Sequence, residues 1–167
     1  MVYFPLSQPF AADAIVTKAA MTENPFHTLK PVFKKGHLMK GSCLCKAIQY
    51  EVDQLDSVIR HCHCQTCRKA HAAAFNSGAA VKREHFRWLQ GEDKLASYES
   101  SPGKFRHFCS VCGSQLLAER PDQPNVVLRV ATLDTDPGVK AQMHIWTSQH
   151  APWLNYEGLP QYPEQAS

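Results

Sequence analysis

The sequence predicts a mainly β domain with little helix, its short antiparallel strands pinned by metal. Three observations carry this expectation. From Met39 onward, short runs rich in β-branched and aromatic residues recur at fairly regular spacing, with Gly, Pro, Asp and Ser in the gaps. Only one internal stretch, "QTCRKAHAAA" at 65–74, reads as a short helix. Seven cysteines fall into three tight motifs instead of scattering along the chain.

Residues 1–38 differ from the rest of the chain. They hold four prolines, Pro5, Pro9, Pro25 and Pro31, and no cysteine. "ADAIVTKAAM" is compatible with a short helix, but nothing there suggests chemistry. A poorly ordered N-terminal extension is expected over 1–38, then the β domain over 39–160, then a tail at 161–167. Strands are expected at "AIQYEV", "SVIRHC", "HFRWLQG", "LASYES", "KFRHFC", "SQLLAE", "NVVLRVATL" and "AQMHIW". No internal repeat or low-complexity tract is visible.

The 167 residues suit one domain, and 44% apolar composition can build a core. A net charge of +3 is too mild to argue for a nucleic-acid partner. No apolar run approaches the roughly 18 residues of a membrane span. The N-terminal residues lack the basic start and apolar core of a secretion signal. A soluble cytoplasmic protein is therefore expected, with neither nucleic acid nor membrane as partner.

An odd number of cysteines cannot pair fully into internal disulfides, and their clustering argues against simple core packing. Iron–sulfur ligation also uses thiolates and is the competing metal reading. Tetrahedral structural zinc takes four ligands, often thiolates supplied as two pairs. Cys43 and Cys45 make one pair, and in an extended strand their side chains would share a face. Cys109 and Cys112 make the other. "CSVCG" resembles a zinc knuckle, with Gly113 allowing a tight turn. One ion on these four residues would tie the first strands to a distant hairpin.

Cys62, Cys64 and Cys67 remain. Three protein ligands and one vacancy is the arrangement of a catalytic zinc, and a fourth ligand from His61, His63 or a distant histidine would close it. A strand-like path would point His63 away from the metal. Three thiolates make a site better suited to an incoming soft sulfur than to hydrolysis, because zinc holds a thiol as thiolate. Arg68 and Lys69 come directly after Cys67. They either offset the negative cluster and grip a substrate carboxylate, or are solvated helix charges.

"GSCLC", "CHCQTCRK", "YESSPGKFRHFCSVCGSQL" and "HIW" with a downstream tryptophan resemble the glutathione-dependent formaldehyde-activating enzyme and centromere protein V family. The resemblance runs from about Lys40 to Pro160. It implies a β-tent fold with two zinc ions per monomer. Cys43, Cys45, Cys109 and Cys112 would hold the structural ion, and Cys62, Cys64 and Cys67 the catalytic one. It further implies a carbon–sulfur lyase-type reaction on a thiol adduct, such as S-hydroxymethylglutathione formation from glutathione and formaldehyde. Two departures stand out. Lys46 occupies the place after the CxC pair where the family usually has glycine. "KAQMHIW" lacks the proline often found shortly before "HI".

Other residues are weaker candidates. His107 would pack beside the knuckle or line the cleft. His144 and Trp146 alternate as on a strand, at the edge of the core or bordering a pocket. Ser100, Ser101 and Arg106 read as turn and hydrogen-bonding residues. The alternative to an enzyme is a non-catalytic zinc-binding module that docks a partner protein. A fourth protein ligand on the three-cysteine metal would favour that alternative.

Overall fold

The computed structural model describes residues 38–154, so the expected extension up to residue 37, the last six residues of the expected domain and the expected tail lie outside the described residues. Ten strands and one α-helix make a mainly β fold, as the sequence predicts. In chain order these are β1 Met39–Ser42, β2 Gln49–Val52, β3 Arg60–Cys62, α1 Gln65–His71, β4 Asn76–Lys82 and β5 Phe86–Gln90. They continue as β6 Leu95–Ser101, β7 Lys104–Cys109, β8 Gln115–Glu119, β9 Asn125–Arg129 and β10 Met143–Ile145.

The strands form two sheets. The small one has the order β1-β2-β5, and the large one β10-β3-β4-β9-β8-β7-β6. Every pairing is antiparallel except β10 with β3, which run parallel with Ile145 opposite Cys62. The core sits between the sheets. From β2 it receives Tyr50 and Val52, which alternate with half-buried Gln49 and Glu51 as a strand with one buried face requires. From the large sheet it receives Ala79, Val81, Leu116, Val126 and Leu128. Tyr50 stacks on Phe86 at 5.3 Å between ring centres, and its hydroxyl meets Thr132 Oγ1 at 2.7 Å. This packing needs Gly41, where a Cβ would come within 2.2 Å of the Tyr50 ring.

Three local expectations are corrected. "SVIRHC" is strand only from Arg60, because the two residues before Val58 pair through side chains. Ser57 Oγ accepts from the Ala80 N–H at 2.8 Å and Asp56 from the Lys82 N–H at 2.7 Å, taking ladder positions on β4. "NVVLRVATL" stops being strand at Arg129 and turns through a 3₁₀ segment, Val130–Thr132. The helix ends at His71 and not at 74: Ala72 is left-handed, and the N–H groups of Ala72 and Ala73 return to the carbonyls of Lys69 and Arg68. A further strand, β4, was not expected. "NSGAAVK" carries small residues that give little strand signal, yet it lies at the middle of the sheet between β3 and β9.

The large sheet's other face matters for the site. Core residues Ala79 and Leu128 have neighbours Gly78 and Arg129, which face each other across the β4–β9 ladder on the opposite side. Cys62 pairs with Asn76 on the adjoining ladder. Helix α1 begins two residues after β3 and carries Cys67 on its buried side.

Candidate metal and active site

Four thiols meet where β1 ends and β7 turns into β8. The sulfurs of Cys43, Cys45, Cys109 and Cys112 all lie within 4.8 Å of one another. Cys43 Sγ is 3.5 Å from Cys45 Sγ, which is 3.9 Å from Cys109 Sγ. Tetrahedral zinc with Zn–S near 2.3 Å requires sulfurs about 3.8 Å apart, so this donor set fits zinc. The Cys43 to Cys45 segment is a turn, not the extended strand expected from the sequence. The Lys46 N–H reaches the Cys43 carbonyl at 2.9 Å, and the Gly113 N–H reaches that of Cys109 at 2.8 Å, so two similar knuckles face each other. The turn shows why glycine suits this place and what the lysine costs: Lys46 has φ of 60°, the left-handed region that glycine enters most easily. Gly113, at φ 76°, does the same for the other knuckle. Ser114 joins them, accepting from the Leu44 N–H at 3.0 Å and touching Cys112 Sγ at 3.3 Å. Its hydroxyl is the main cause pulling the Cys112 thiol down to about 5.

The second cluster is compact in sequence. Cys62 ends β3, Cys64 caps α1, and Cys67 lies in its first turn; their sulfurs too are within 4.8 Å of one another. The Cys67 N–H points at Cys64 Sγ, 3.4 Å away. Burial works against the Cys64 thiolate, but that N–H, the neighbouring thiols and Arg106 outweigh it, and its pKa falls. Burial, together with the charge of Cys67, pushes Cys62 up to about 12. Three thiols that cannot all ionise side by side without a cation are a donor set that fits a thiophilic metal.

Among the described residues, no histidine or carboxylate joins this trio. The histidines beside it in sequence are engaged elsewhere. His61 Nδ1 meets Ser77 Oγ at 2.9 Å, and buried His63 meets His144 Nδ1 through Nε2 at 2.7 Å. Burial first and His144 second lower the pKa of both. His63 therefore points away from the thiols, as its place between two ligands predicts.

The trio opens onto a cavity of about 390 Å³ lined also by Asn76, Arg106 and Arg129. Ser100, Ser101, Lys104, Trp146 and Gln149 border it too. Trp146, expected at the edge of the core or bordering a pocket, takes the second place: it is 59% exposed with φ of 59°. A neighbouring cavity of about 460 Å³ shares Thr66, Ser100 and Arg106. Lys69 lines that second cavity and Arg68 lines neither. His107 faces the other side of β7 and bonds Glu119 at 2.8 Å.

Arg106 and Arg129 are each 4% exposed; the sequence offers Arg106 only as a turn or hydrogen-bonding residue and does not offer Arg129 as a site residue. Arg106 Nη2 points at Cys67 Sγ from 3.9 Å. Burial, then repulsion from Arg106, lowers the pKa of Arg129 to about 10, and the three thiols oppose that fall. One signal was legible: Arg129 interrupts the apolar run "VVLRVATL", where a charge requires a reason. Asn76 was hidden because its strand was.

The family model for glutathione-dependent formaldehyde-activating enzymes matches residues 38–149. A Halomonas elongata protein named as a candidate glutathione-dependent formaldehyde-activating enzyme is 28% identical over 147 residues, covering 77% of this chain and 91% of that protein. An uncharacterised lyase of Schizosaccharomyces pombe is 30% identical over 77 residues, covering 46% of this chain and 54% of that one. The crystal structure of a Rhodobacter sphaeroides protein superimposes with a TM-score of 0.52 at 26% identity, covering 64% of this chain and 98% of that chain. With its match spanning both cysteine clusters, the chain belongs to the family of glutathione-dependent formaldehyde-activating enzymes.

Proposed function

We propose that the protein is a zinc-dependent carbon–sulfur lyase-type enzyme that joins a small thiol to an aldehyde and reverses that addition, with glutathione and formaldehyde as the expected pair. The observation that carries this reading is the three-thiol cluster that lacks a fourth protein donor among the described residues and lies on a cavity wall. Cys62, Cys64 and Cys67 would hold the catalytic ion, and Cys43, Cys45, Cys109 and Cys112 the structural one. A zinc ion in the first set supplies one thing, stabilisation of an incoming thiol as its nucleophilic thiolate.

The chain's own residues supply the rest. The cavity brings sulfur and aldehyde together, which removes the entropy cost of their encounter. In the addition, a sulfur lone pair forms the C–S bond, the carbonyl π pair moves to oxygen, and oxygen takes a proton from water. With His61 and His63 held by Ser77 and His144, the trio would leave a fourth ligand place to the substrate. Free thiols suit a reducing compartment, so the cytoplasm is the proposed location. Among the described residues, no helix is long and apolar enough to cross a membrane.

Titration of cobalt-substituted protein with glutathione tests the site directly, because sulfur binding changes the charge-transfer bands. Exchange between formaldehyde and glutathione, monitored by NMR, tests the reaction, with Cys64→Ser as control. Wild-type exchange at the uncatalysed rate would exclude this activity. Cobalt bands indifferent to every thiol would favour a non-catalytic, partner-binding zinc module.

A further inference from the structure

Among the described residues, Arg106 and Arg129 are buried charges without a carboxylate partner. Both are 4% exposed, and Nε and Nη1 of Arg106 and Nε and Nη2 of Arg129 are buried without a partner. Among the described residues, no carboxylate forms an ion pair with either guanidinium. Leaving charged donors buried and unsatisfied is costly, more so than leaving neutral ones. Both side chains line the cavity of the three thiols, and the small Gly78 opposite Arg129 also lines it.

Charge points the same way. Three thiolates around a zinc ion would carry one net negative charge, and the cavity is lined by Arg60, Lys104, Arg106 and Arg129 with no carboxylate beside them, so the pocket is net positive. The free donors also form planar forks suited to oxygen anions. Position narrows the ligand further. With Arg106 only 3.9 Å from Cys67 Sγ, an anionic group close to the substrate's sulfur falls within reach. The carboxylates of glutathione lie several bonds further out.

We propose that Arg106 and Arg129 form a buried receptor for an oxygen anion carried close to the substrate's sulfur. This rests on the reading that the three-cysteine site takes a thiol. Two substrates share that chemistry: a mercapto acid whose carboxylate sits beside the sulfur, and the alkoxide that appears when a thiolate adds to an aldehyde. The receptor would select the first in binding and stabilise the second during addition.

The test uses the full, metal-loaded chain and calorimetric titration with mercaptoacetate and with the neutral thiol 2-mercaptoethanol. Wild type should bind mercaptoacetate roughly tenfold or more tightly than 2-mercaptoethanol, the usual size of a charge-assisted contact. Arg106→Gln and Arg129→Gln should each abolish that preference, Arg106→Lys should restore part of it, and Arg87→Gln, on the small sheet, should keep it. For the alkoxide, formaldehyde addition to 2-mercaptoethanol is monitored by NMR. Arg106→Gln should slow it roughly tenfold while leaving 2-mercaptoethanol affinity unchanged. Loss of preference alone assigns the receptor to a carboxylate, and loss of rate alone to the adduct.

Equal binding of both thiols by wild type, with neither glutamine variant changing preference or rate, would overturn the proposal. Acetate separates this from failure of the thiol reading. If no thiol binds, a rise in thermal midpoint with acetate that both glutamine variants lack would keep the receptor, with the thiol reading rejected. Absence of that rise would reject both.

Discussion

The guanidinium of Arg106 lies 3.9 Å from the sulfur of Cys67, although 39 residues separate them in sequence. One stands on β7 and the other on α1, and the contact places a buried cation against the three-thiol cluster. The two cysteine sites thus differ in kind. The four-thiol cluster joins segments distant in sequence at the end of the sheets. The three-thiol cluster is a local bend placed against a charged cavity.

That difference predicts opposite consequences of losing a ligand. Cys112→Ser removes a donor from a cluster that joins Cys43 to residues beyond Cys109. Structural zinc supplies about 10–16 kcal/mol in small systems, against about 5–15 kcal/mol for a whole domain. This variant should unfold far below wild type or fail to fold. Cys64→Ser disturbs only residues 62–67 and should lose thiol binding with a small change in thermal midpoint. Thermal unfolding of both variants checks the contrast, and a more severe loss in Cys64→Ser would exchange the two roles.

Protein purified without chelator should contain two zinc ions per chain. Elemental analysis measures this, and a clean value of one, or abundant iron, would overturn the four-plus-three division. A strong chelator should remove the ion of the three-cysteine site before the other, because among the described residues it has one donor fewer. Circular dichroism recorded alongside metal release should therefore change mainly in the second phase.

Lys46 holds a left-handed conformation at φ 60° beside the four-thiol cluster. A side chain costs roughly 1–2 kcal/mol there, and glycine gives back roughly 0.5–1 kcal/mol in chain entropy. Lys46→Gly should thus raise stability by about 0.5–1 kcal/mol, and the β-branched Lys46→Val should lower it. Chemical denaturation of the two variants gives the sign. Stabilisation by valine would show that the turn is set by something other than backbone strain.

His71 predicts part of the acid sensitivity. Burial first, then the charges of Arg129 and Arg106, lowers its pKa to about 4 from an ordinary 6.5. A depressed value means that the unfolded chain binds the proton more readily. Its contribution is complete above pH 6.5 and is lost as pH falls through that value toward about 4. Between about pH 7.5 and about pH 4.5, wild type should lose about 2–3 kcal/mol more stability than His71→Gln. Urea unfolding at both pH values reads the difference, and equal losses would remove His71 from the account.

The sequence by itself determined the mainly β class, the three cysteine motifs with their four-plus-three division, and membership of the family. These are local or countable properties: alternation along a strand, ligand spacing within a few residues, and a fixed order of motifs. It also showed Lys46 standing where glycine is usual, but only the turn at Cys43 to Cys45 gave that substitution a physical meaning. Strand β4 escaped notice because Ser77, Gly78, Ala79 and Ala80 have little strand preference of their own; pairing with β3 and β9 imposes it. The pairing of the two arginines at the site was decided by the tertiary structure; the sequence offered only a hydrogen-bonding candidate at Arg106 and a charge interrupting an apolar run at Arg129. Arg106 and Arg129 come from strands that are not neighbours in the sheet, and each obeys the two-residue alternation that any surface arginine would show. Only the tertiary packing removes them from water and leaves their donors unpaired beside three thiols.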